Sequence, residues 1–141
     1  MSAQGRLADA LRAEHAAVYA YGTLGAHLDA ATLPLGTQAE AAHRARRDAL
    51  VVRLSVGGTA PPPAEPAYTL PSPVTDAPSA LRLARTVEER TAVVWYAAVA
   101  ETAAADRTLV LGALADCAVR VTRLRKALGV RPATVPFPGR G

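Results

Sequence analysis

Cysteine, aromatic residues and long apolar runs are all scarce in this sequence, and each scarcity excludes something. Cys117 is the single cysteine, so no internal disulfide can form, which fits a reducing compartment. The longest fully apolar run, "AVVWYAAVA" at Ala92–Ala100, falls far short of the ~20 residues of a membrane span. The opening "MSAQGRLADALRAEH" has charges where a signal peptide needs an apolar centre, so a cytoplasmic location is expected. No segment alternates apolar and polar residues with the period of a strand. Aromatic residues make up only 4%, so any core must be built from aliphatic side chains and alanine.

What is present suits that. Hydrophobic residues make up 50% of the chain and charged ones 20%, a globular balance. Alanine is the best helix former and lets helices approach closely, so an all-α bundle is expected. A length of 141 residues fits one domain, 1–141, with one core. The net charge of +4 permits nucleic-acid contact without demanding it. "RARR" (Arg44–Arg47), Arg120 and "RLRK" (Arg123–Lys126) read as solvated basic faces, since no recognised motif or aromatic platform accompanies them.

Four helical segments can be read. In the first, about Ala3–Ala30, Leu7, Leu11, Glu14, Val18, Tyr21, Gly25 and Leu28 recur at the spacing of a bundle seam. Pro34 and Gly36 should end it, with Thr37 and Glu40 capping a second helix that runs to about Val56. The proline-dense stretch 57–78 cannot be helical over its length. A third helix starts near Ser79, and a fourth, capped by Asp106, ends near Leu128. Segment 129–141 is a non-helical tail that Phe137 should pin to the bundle. A polyproline-like connector of about 22 residues reaches ~60 Å, enough to cross a bundle ~30–40 Å tall. The expected fold is therefore two antiparallel hairpins joined by a long crossover, a ferritin-like four-helix bundle.

The stretches "EHAAVYAYG", "HRARRDAL", "YTLPSPVTD" and "PFPG" together resemble a bacterial ferritin-like domain family of unknown function. The resemblance covers nearly the whole chain. It implies the ferritin-like fold and a cytoplasmic protein, and no established activity.

Metal-binding ferritin-like proteins carry a glutamate on each of two helices and Glu-x-x-His on the other two. Glu14 and Glu88 can be those glutamates, and Glu40 with His43 has the form of one pair. With a turn near Leu33, however, Glu14 lies level with about Val52 and Glu40 with about Ala26, an offset of ~18 Å. Arg47 is then the polar residue nearest Glu14. With a second turn near Ala105, Glu88 faces Val121 and Leu124, on a stripe without carboxylate or imidazole. The expected arrangement is a buried polar cluster of Glu14, Arg47, Glu88 and Tyr21 with no metal. An iron or manganese site at Glu14, Glu40, His43 and Glu88 is the alternative.

His15 reads as a satisfied interface histidine and Cys117 as an inert core thiol. The third helix is apolar on every side around Trp95, Tyr96 and Val99, so either the connector or a second subunit must cover it. The leading function class is a non-enzymatic binding or interaction module, a homo-oligomer, most simply a dimer, with neither cofactor nor membrane contact. A metal or redox protein is the second class and a nucleic-acid-associated protein the third. No small-molecule ligand can be named.

Overall fold

The computed structural model describes residues 1–141 and contains four α-helices and no strand. They are α1 (Ala3–Leu24), α2 (Leu33–Val56), α3 (Ala77–Val99) and α4 (Ala104–Ala127), with a short 3-10 turn at Gly25–His27. None is long and apolar enough to cross a membrane.

Local chemistry sets the helix starts. Ser2 caps α1 by accepting from the Gly5 N–H. At α3, Asp76 accepts from the Ser79 N–H while the Ser79 hydroxyl accepts from the Asp76 N–H, a reciprocal capping box. Those bonds also hold the Asp76 carboxyl below its ordinary range. The start of α2 differs from the sequence expectation. Pro34 lies in its first turn, where a missing N–H costs nothing, so the residue read as a breaker is a starter. Asp29 Oδ1 accepts from both the N–H and the hydroxyl of Thr32 and shapes the turn before it. Thr37 is inside the helix, bonded to the Leu33 carbonyl, and Glu40 pairs with Arg44 rather than closing a cap. Asp106 likewise is not a cap; it lies in the first turn of α4.

The helices form two hairpins, α1–α2 and α3–α4, joined back to back by contact between α1 and α3. The start of α3 packs against the end of α1, so the connector has carried the chain along the full height of the bundle. One long crossover of this kind is the connectivity of ferritin-like folds. The connector is tied to the bundle at several points: His15 Nε2 meets the Pro62 carbonyl at 3.0 Å, Tyr68 packs on Tyr19, and Leu70 and Val74 reach the core. Helices α2 and α4 hardly meet. Their open seam is bridged by Arg46–Asp116 and by the two-pronged Arg53–Asp106 pair, which holds the Arg53 guanidinium's pKa up.

The core is divided in two. One apolar cluster, with Leu7, Leu11, Leu50, Leu54 and Trp95, fills the end near the α3–α4 turn. A second, with Tyr21, Leu24, Leu83 and Leu124, fills the other end. Many of the remaining buried positions are alanines, including Ala10, Ala17, Ala20, Ala84 and Ala98, which allow close helix approach. Phe137 does not pin the tail, being 63% exposed. The tail is held instead by Arg125, whose Nε donates to the Pro132 carbonyl, and by Gly139 against α3.

The capping box yields a stability expectation. Asp76→Ala removes an acceptor for the Ser79 N–H and should cost about 1 kcal/mol in chemical denaturation. Asp76→Asn should recover most of that loss, because asparagine caps equally well.

Candidate functional site

Between the two apolar clusters lies a layer of ionisable side chains. Glu14, His43 and Glu88, from α1, α2 and α3, are each at most 1% exposed. The His43 ring stands between the two acids, with Nδ1 at 2.5 Å from Glu14 Oε2 and Nε2 at 2.7 Å from Glu88 Oε1. Ionised carboxylates only accept hydrogen bonds, so with both acids ionised both ring nitrogens donate and His43 is an imidazolium. Burial opposes that charge, but the two carboxylates outweigh it and raise the His43 pKa from 6.5 to about 9.

The outer contacts complete the network. Glu14 Oε1 accepts from the Trp95 indole N–H at 2.8 Å. Glu88 Oε1 accepts from the Tyr21 hydroxyl at 2.8 Å and from Arg120 Nε at 2.9 Å. Tyr21 also stacks on the His43 ring, centroids 5.5 Å apart. Burial works against the Glu88 charge, yet His43, Arg120 and Tyr21 together hold its pKa below the ordinary value. Burial and the adjacent Glu88 push the Tyr21 phenol well up. Two acids face two cations, Arg120 and His43, so the layer is neutral. Glu88 Oε2 is its one buried atom without a partner.

Several sequence expectations are corrected here. Arg47 is not in the cluster; its Nε pairs with Asp48 on the flank of α2. His43 takes its place. The helices of the first hairpin end at Leu24 and begin at Leu33, so the turn is centred between Leu28 and Asp29. Glu14 and His43 lie equally far from that centre, whereas a turn placed near Leu33 shifts His43 out of register. The second turn is also earlier than expected, between Val99 and Ala104, which puts Glu88 level with about Ala115; Arg120, five residues further along α4, reaches Glu88 through the length of its side chain. Arg120 is therefore an inward residue, and Arg125, 9% exposed, is another, so the basic face of α4 is narrower than its sequence suggests. Trp95 is wholly buried and cannot serve as an interface residue, while Tyr96 is exposed. The connector covers part of the apolar surface of α3, and the tail touches it at Gly139.

The residues fit a dimetal centre poorly. Both His43 nitrogens are taken by carboxylates on opposite edges of the ring, so the two acids and the imidazole cannot face one ion. Glu40 points away and pairs with Arg44. Helix α4 supplies Arg120 and Cys117 where the second Glu-x-x-His pair would stand, with Arg120 Nη2 3.7 Å from the thiol. Burial and Glu88 push the Cys117 pKa far up, so the sulfur is a thiol and a poor ligand. No three His, Cys, Asp or Glu side chains are arranged to hold a metal ion.

The family described as Domain of unknown function (DUF4439) matches residues 6–141. The chain belongs to that family. Among solved structures, this DUF4439 chain is similar to a conserved hypothetical protein, rv2844, from Mycobacterium tuberculosis, with 39% identity, 96% of each chain covered and a TM-score of 0.87. No curated protein matches it.

The charges of this DUF4439 core set its response to pH. His43 binds its proton more tightly folded than unfolded, so its contribution is complete below pH 6.5 and is lost as pH rises toward about 9. Unfolding free energy should fall by on the order of 3 kcal/mol over that window. His43→Gln should abolish this alkaline slope. Glu88 acts in the opposite sense, its contribution fading as pH falls below its ordinary value of 4.5.

A second comparison separates the two arginines. Arg120→Met leaves Glu88 short of a buried partner and should cost about 3–5 kcal/mol, the range for breaking a buried pair. Arg47→Met should cost under about 1 kcal/mol, as for a surface pair. Urea denaturation of the two variants measures both.

Proposed function

We propose that this protein is a non-enzymatic, cytoplasmic ferritin-like bundle, a binding or interaction module in which protonated His43 and Arg120 neutralise the core acids that metal ions neutralise in metal-binding ferritin-like proteins. The observation that carries this reading is the position of Arg120 and His43 on the same oxygen of Glu88. A ferritin-like origin is supported by the crossover and by Glu14, His43 and Glu88 lying on three helices that carry ligands in that fold. The cluster is buried, and the pocket of about 60 Å³ that reaches Tyr21 and Arg120 between α2 and α4 has room for only a few waters. That argues against a substrate site. The arginines of the "RARR" stretch are engaged by Glu40, Asp116 and Asp48, which weakens a nucleic-acid reading. Self-association, most simply as a dimer, would use the flank of α3 that exposes Tyr96.

A second reading, an iron or manganese protein, is favoured by one observation: Glu14, His43 and Glu88 do converge, and Glu88 keeps a free oxygen. Elemental analysis of protein purified without chelator separates the two. The proposed reading expects no stoichiometric iron or manganese. About two metal atoms per chain, lost in Glu14→Ala, would establish the second reading instead.

A further inference from the structure

The C-terminal tail forms an arch over the outer face of the α3–α4 hairpin. One end is tied by Arg125 Nε to the Pro132 carbonyl at 2.8 Å. The other is tied at Gly139, where φ is +79° and a Cβ would overlap the Ala92 carbonyl and the Tyr96 side chain. Pro136 and Pro138 stiffen the span between. Beside it lies a cavity of about 570 Å³, about half open to solvent and lined by Val93 and Val121 of the helices and Val135 and Phe137 of the tail. That volume lies within the range of small-ligand sites, about 300–1,000 Å³. A tail whose purpose was cover would lay its apolar side chains on the helices. Instead Phe137 and Val135 stand 63% and 41% exposed.

The charged groups at the cavity are unequal. Glu89 is already paired with Arg85 at 2.8 Å and has Arg125 at 4.0 Å. Arg140 has no ion pair; its guanidinium sits 5.5 Å from the centre of the Phe137 ring, at the edge of the apolar surface. A planar fork of donors beside an apolar trough suits an anionic head on an apolar chain.

We propose that this cavity binds a single-chain amphiphile with a carboxylate head, its chain lying between the helices and the arch and its carboxylate on Arg140. The proposal rests on the binding-module reading and gives that module a ligand class. Its test does not involve metal content, so the two can fail separately.

The test titrates the full chain with decanoate and, separately, with uncharged decanol, up to ~1 mM. It follows the methyl signals of Val93, Val121 and Val135 by NMR. Saturable decanoate binding confined to those methyls is expected. Arg140→Glu should weaken decanoate by about fivefold or more while leaving decanol nearly unchanged. Gly139→Val, which must lift the arch, should weaken both. Absence of saturable binding, shifts spread over the whole bundle, or decanoate binding indifferent to Arg140→Glu would each overturn the proposal. Arg140 is exposed and remote from the core, so that variant should fold as the parent does.

Discussion

A doubly protonated imidazole held between two buried carboxylates is the constraint on which the rest of this bundle depends. Taking charges out of water costs several kcal/mol per ion unless each finds a partner of good geometry. His43 supplies a donor to each acid, and Arg120 and Trp95 supply one more apiece. The hydrogen bonds run through α1, α2, α3 and α4, so the layer ties together helices that elsewhere meet mainly through alanine and leucine. It also fixes register. A slide of either hairpin by one turn would leave an acid or the imidazolium buried without its partner, a loss comparable to a large part of a typical total stability of about 5–15 kcal/mol.

The layer explains the divided core. Apolar side chains pack above and below it in two clusters that share no member. A fully apolar core of the same volume need not be less stable, and replacing buried ion sets by apolar residues can even stabilise. What such a core would lack is a penalty for wrong register, which matters when small alanine side chains offer few knobs to lock one helix against another. The connector then covers part of the outer surface of α3, which is packed by both α1 and α4, while Val93 and Tyr96 stay exposed on its flank near the tail.

Much of this was legible in the sequence. Helix-period patterning marked the four helices, the proline-dense stretch 57–78 required a crossover, and the seam spacing of Glu14 and Tyr21 pointed inward. Glu88 was picked out as the second glutamate of the ferritin-like pattern, and it is buried beside Tyr21. The cation was not picked out. Pro34 and Gly36 read as a stop, while the physical signals of an earlier turn were Asp29, able to bond Thr32, and Pro34 itself, suited to a first helical turn. That error of a few residues moved His43 out of line with Glu14 and put Arg47 in its place. Arg120 was missed for a different reason: a long side chain can reach inward from the edge of a helix stripe, and its Cα position does not reveal which way it points.

The charge of His43 is the centre of this account, and nitrogen-15 NMR of the imidazole, followed against pH, measures it directly. The prediction is that both ring nitrogens carry protons at pH 7 and that the ring titrates near 9 in the folded protein. A His43 ring that is already neutral at pH 7, with a titration midpoint at or below 6.5, would contradict the charge-compensated core.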